Sequence, residues 1–147
     1  MEKIQFDSGV KSFRFNGTGT LRFHPGDPNL YARFMESTEK LQELEKELQA
    51  KMEALSGEDS GVAAVKLLSI ADRKMKKLLS WVFGEENDFD KLLGGVSLLA
   101  VGENGQRVVT NLFHALEPVL LAGAQSCARE KAEQAVRKAK ARRAAQE

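Results

Sequence analysis

Apolar residues near the start of the chain are spaced mostly by two. In VKSFRFNGTGTLRFHPGD, the residues Val10, Phe13, Phe15, Leu21 and Phe23 flank the glycine-containing turn NGTG. This predicts a hairpin in which Phe13 and Phe15 share one face, as do Leu21 and Phe23. The preceding KIQFD offers a third strand. The expectation is therefore a small hairpin or three-stranded sheet within about residues 3–24, too short to be stable alone and obliged to pack on helices.

From Asp27 the period changes. Asp27 suits an N-cap and Pro28 a first helical position, where its missing N–H costs nothing. Leu30, Phe34, Leu41, Leu44, Leu48, Met52 and Leu55 follow at spacings of three, four or seven, and Ser56-Gly57 stops the pattern. A helix over about 28–55 would span about 40 Å, longer than a compact domain of this size needs.

A second helix is expected over about 60–83. Val65, Leu68, Met75, Leu79 and Val82 form one stripe, widened by Leu67, Ile70, Leu78 and Trp81, with the basic run RKMKK on the other side. A short amphipathic turn over about 87–93 would carry Phe89, Leu92 and Leu93. A further helix over about 104–122 has Val108, Leu112, Leu116, Val119 and Leu120 as its apolar face, with a kink expected at Pro118. The fold class read from this pattern is mainly α with a small N-terminal sheet, an α+β chain with long amphipathic helices. Residues 1–128 read as a single globular domain.

The last nineteen residues are electrostatically separate. Residues 1–128 hold 15 Lys and Arg against 18 Asp and Glu, whereas 129–147 hold 7 against 3. Val136 is the one large apolar side chain there, so the segment can be helical by propensity but has no face to bury. A solvated, fraying basic arm is expected, with Arg137, Lys138, Lys140, Arg142 and Arg143 as candidate phosphate contacts. It lacks aromatic residues for base stacking and any groove-reading motif, which makes nucleic acid the weaker partner class.

Candidate chemistry is sparse. Glu85, Glu86, Asn87, Asp88 and Asp90 crowd six positions, but an EF-hand register begun at Glu86 puts Lys91 where glycine is required and Ser97 where the bidentate glutamate belongs. A break between helices accounts for every residue instead. Gly84 would end one helix in the left-handed conformation and Asn87 or Asp88 would cap the next, with acidic groups near a positive helix end. His24 and His114 are isolated from each other and from Cys127, and GTGTLRF and VGENGQ lack the phosphate-loop lysine. No catalytic, cofactor or metal site is expected, and no enzymatic activity. One cysteine excludes an internal disulfide and suits a reducing cytoplasm, and no run approaches the roughly 20 apolar residues of a membrane span.

The segment ADRKMKKLLSWVFGEENDFDKLLGG is a helix ending in apolar-Phe-Gly, then an acidic turn and a short amphipathic stretch with further glycine. Together with the opening IQFDSGVKSFRFNGTGTLRFHPGDPNLYARF, it resembles the phage tail assembly chaperones, in the version found in siphophages and prophages of Gram-positive bacteria. The resemblance spans roughly residues 4–122. It implies a non-enzymatic protein of the host cytoplasm, absent from the mature virion, that binds and solubilises the tape measure protein and gives way as tail tube protein polymerises. A homo-oligomer is compatible with it. On this reading Trp81, Phe83, Phe89, Leu92 and Leu93 are the expected partner-binding residues, with the segment around Phe89 swinging away from a groove lined by Trp81 and Phe83. The rival reading is a small phage protein associated with nucleic acid through its basic arm.

Overall fold

A computed structural model describes residues 1–17 and 19–146; Thr18, in the expected turn, and Glu147, at the end of the expected arm, lie outside it. Two strands, β1 (Lys11–Phe15) and β2 (Gly19–Phe23), are followed by four helices, α1 (Pro28–Glu53), α2 (Ser60–Phe83), α3 (Phe89–Leu92) and α4 (Val108–Gln146). The fold is mainly α with a small antiparallel sheet.

The strands pair with Phe13 opposite Leu21 and Lys11 opposite Phe23. Asn16 and Gly17 turn the chain at φ 50° and 80°, a region open to Asn and Gly at low cost. The apolar face of this hairpin buries Leu21 and Phe23. The third strand does not form. The Gly9 N–H donates to Asp7 Oδ1 at 2.9 Å and Gly9 turns at φ 78° against the ring of His24, so residues 1–10 join no ladder and Ile4 and Phe6 are exposed.

α1 starts as its sequence signals. Asp27 accepts the Asn29 N–H at 2.9 Å with Pro28 in the first turn. Its Leu41, Leu44 and Leu48 are half-buried. The Arg33 Nε–H reaches the Val82 carbonyl at 3.0 Å and ties the start of α1 to the end of α2. α2 buries Met75, Leu78, Leu79, Val82 and Phe83, whereas Val65 and Ile70, expected in its stripe, are exposed.

The basic run of α2 does not lie on one solvated face, because Lys76 is buried. Its ammonium lies 2.8 Å from Asp72 Oδ2 and 2.6 Å from Asp90 Oδ1, and the other Asp72 oxygen accepts the Leu98 N–H at 2.8 Å. Leu98 is itself fully buried. One ion-paired cluster thus fastens α3 and the following loop to α2.

Gly84 ends α2 with its N–H on the Ser80 carbonyl at 2.9 Å. Its φ of 122° is positive as the break requires, but ψ of 135° takes it out of the left-handed helical region expected there. Asp88 caps α3, accepting from the Asp90 and Lys91 N–H groups at 3.0 and 3.3 Å.

α4 begins at Val108 rather than near Asn104. The Asn104 side chain is used in a turn, accepting the Gln106 N–H at 3.1 Å and pairing with Asn111. The first N–H groups of α4 are instead satisfied by the carbonyls of Ala100 and Leu98, at 2.8 and 2.9 Å. The helix then runs through Pro118 and past the end expected near residue 122, without a break before the basic arm. It spans about 58 Å at 1.5 Å per residue. Gly123 is buried and serves packing: a Cβ there would fall into the Pro25 carbonyl oxygen and the Tyr31 hydroxyl.

Two stability predictions follow from these contacts. Burial would lower the Lys76 pKa, but hydrogen bonds and charge from Asp72 and Asp90 outweigh it, so the net direction is upward from the usual lysine value. A raised cationic pKa contributes stability that is full at neutral pH and is lost as pH rises through that raised value, above about 10.5. Lys76→Met should cost about 3 kcal/mol at pH 7 by leaving buried Asp72 unpaired, and the cost should shrink in alkali. Chemical denaturation at pH 7 and pH 11 measures both. Gly123→Ala should cost about 1–3 kcal/mol through overpacking, whereas Gly61→Ala, where a Cβ meets nothing, should not destabilise; paired thermal melts make the comparison.

Candidate functional site

The expected partner-binding residues divide between two environments. Phe83 and Phe89 are buried members of an aromatic cluster. Phe13 stacks on Phe23 at 4.9 Å, Phe23 meets the edge of Phe83 at 5.1 Å, Phe83 lies 5.7 Å from Phe89, and Phe89 meets Phe15 at 6.3 Å. Leu92 and Leu93 are half-buried against the same core, and Leu92 fills the space over Gly19.

Trp81 is elsewhere. Two helical residues apart, Trp81 and Phe83 point about 200° away from each other, so they cannot line one groove. Trp81 is half-buried on the α1–α2 surface with the Lys40 ammonium 4.5 Å from its ring centre, a cation–π contact. The five residues therefore form no common open surface in this conformation.

The acidic turn is occupied by folding contacts. Asp88 caps α3 and Asp90 pairs with Lys76. Asn87 is buried and bonds to the backbone of Arg22 and Phe83. Among the described residues, no group of three or more His, Cys, Asp or Glu side chains is placed to hold a metal ion. His24 Nδ1 accepts the Gly26 N–H at 2.9 Å and serves the turn before α1. Cys127 is half-buried and free.

A site that the sequence did not single out lies between α1 and α4. Tyr31, Phe34 and Leu41 from α1 face Phe113, Leu120 and Leu121 from α4 across a groove of about 580 Å³. At one end the Tyr31 hydroxyl lies within hydrogen-bond distance of both the Pro25 and Leu120 carbonyls, at 2.6 and 2.8 Å, closing the helices together where Gly123 allows contact. Burial and the nearby Cys127 raise the Tyr31 pKa, so its hydroxyl keeps the proton it donates. Phe34 and Phe113 meet edge to face at 6.0 Å.

Ser37 and Thr38 also line the groove without making it polar. Each hydroxyl turns back to the carbonyl three residues earlier, at 2.6 and 2.7 Å, and leaves its carbon atoms facing the opening. Glu117 and His114 contribute the remaining polar groups, and among the described residues no Lys or Arg lines the groove. The volume falls within the range of roughly 300–1,000 Å³ usual for ligand sites. The groove's lining by two helices, mostly apolar and with Leu121 exposed, suits the apolar face of a third helix better than a polar small molecule.

The sequence signal for this site was the double use of α1. Its stripe runs from Leu30 to Met52. Its first turns reach both α2 and α4, and Phe34 and Leu41 are left half-buried. The basic-arm candidates Arg137, Lys138, Lys140, Arg142 and Arg143 all lie exposed on the distal part of α4. No helix of the described residues is long and apolar enough to cross a membrane. Comparison with protein-family models, curated proteins and solved structures finds no match to this chain.

Proposed function

We propose that this protein is a non-enzymatic tail assembly chaperone that holds an amphipathic helix of the tape measure protein in the α1–α4 groove. The observation that carries the reading is the groove itself, lined almost wholly by apolar side chains of α1 and α4. A client helix would lay its apolar face there at i, i+3, i+4 and i+7 positions and keep its polar face in water. The resemblance over roughly residues 4–122 supplies the identity of the client.

The groove suits a transient holder. Burying one or two turns of apolar helix yields modest affinity once the entropy of association is subtracted. Several copies spaced along one long client would hold it by multivalency and still be released one at a time. The groove replaces the surface expected around Trp81, Phe83 and Phe89 as the contact region, because it is open without moving any core side chain.

Co-expression tests this directly. Thr38 and Leu121 are exposed on opposite walls, so Thr38→Asp with Leu121→Asp puts two carboxylates on the trough without removing a core contact. The double variant should keep the parent melting temperature and lose most of its ability to keep the tape measure protein in the soluble fraction. Undiminished solubilisation by a folded double variant refutes the proposal.

A further inference from the structure

The segment before β1 and the outer edge of β1 are two unpartnered features of one chain. Ile4 and Phe6 alternate with Lys3, Gln5 and Asp7 in the period of a half-buried strand, yet they are 89% and 81% exposed. β1 pairs on one side only, with β2, and among the described residues no further backbone hydrogen bond reaches its other edge. Such an edge is a template for one more strand.

The face that an added strand would extend is apolar. Phe13 and Phe15 of β1 face Leu112, Leu116 and Val119 of α4 across a cavity of about 340 Å³, and both phenylalanines remain half-buried. An antiparallel register that sets Ile4 opposite Phe15 and Phe6 opposite Phe13 brings all four apolar side chains to this face, and so does the parallel register with the two phenylalanines exchanged. In both registers Gln5 falls opposite Arg14, on the solvent face.

We infer that residues 3–7 of one copy add as a third strand to the β1 edge of a second copy. The chain's own β1 is the poorer acceptor. Gly9 is held against the ring of His24, the residue after β2, and its N–H is bound by Asp7 Oδ1 at 2.9 Å, so folding residues 3–7 back onto the outer edge of β1 would undo both contacts. A second copy supplies strand and edge together. Exchange between two copies is reciprocal, each covering the exposed Ile4 and Phe6 of the other. The α1–α4 groove shares no lining residue with this edge, so the inference stands apart from the reading of the groove.

Sedimentation velocity on the full chain over a dilution series should show concentration-dependent self-association. Ile4→Ser with Phe6→Ser should weaken it by about tenfold or more, through lost apolar burial, and leave the melting temperature of the dilute protein unchanged because neither side chain is buried within one copy. Crosslinking then locates the contact. In a Cys127→Ser background, a Gln5→Cys chain mixed with a differently tagged Arg14→Cys chain should form a disulfide between copies. A parent chain that is monomeric at every concentration overturns the inference, as does a double serine variant that associates like the parent. A disulfide that forms only when both cysteine substitutions are carried by one chain assigns the segment to its own β1 and overturns it too.

Discussion

The side-chain amide of Asn87 stands where a third strand would otherwise run. Its Oδ1 accepts the Arg22 N–H at 3.0 Å and its Nδ2 donates to the Arg22 carbonyl at 2.7 Å, the same reciprocal exchange that pairs residues across an antiparallel ladder. The second Nδ2 hydrogen reaches the Phe83 carbonyl at 3.1 Å, and the Asn87 carbonyl accepts from Ser80 Oγ at 2.7 Å. A two-stranded hairpin is marginal in water, so this one depends on what it is fastened to. One residue satisfies the outer edge of β2, a carbonyl at the end of α2, and the turn into α3 together.

With that edge fixed, the hairpin can lay Leu21 and Phe23 on α2, and the five phenylalanines close around the junction of β2, α2 and α3. The Lys76 cluster acts on the other side of α3, holding Asp90 and the loop through Leu98. Phe83 and Phe89 are thereby committed to the core. The apolar surface left over lies between α1 and α4, which are drawn together at Tyr31 and Gly123 and meet further along at Phe34 and Phe113.

Local signals were legible in the residues. Asp27-Pro28 marked the start of α1, and the stripe ending at Phe83-Gly84 marked α2 to the residue. Asp88 was one of two named candidates for the α3 cap. What escaped was long-range. Nothing in GEENDFD distinguishes Asn87, bonded to a strand 65 residues away, from its solvated acidic neighbours. Lys76 looked like one more charge in RKMKK because its partner Asp90 lies beyond a helix break. Gly123 carries no signal of its own in the sequence, although its missing side chain is required by the Pro25 turn, nearly a hundred residues earlier in the chain. The groove was hidden for the same reason: periodicity shows that a helix has an apolar stripe, but not which part of that stripe its partners leave open.

The central claim is that client contact is made in the α1–α4 groove while the aromatic core stays closed. Amide hydrogen exchange on the protein alone and in complex with soluble tape measure protein separates the alternatives. Added protection should concentrate in residues 31–41 of α1 and 113–121 of α4, with 80–95 unchanged. Loss of protection across 84–95 on complex formation, with the groove segments unaffected, would contradict the account and return the site to an opening around Phe89.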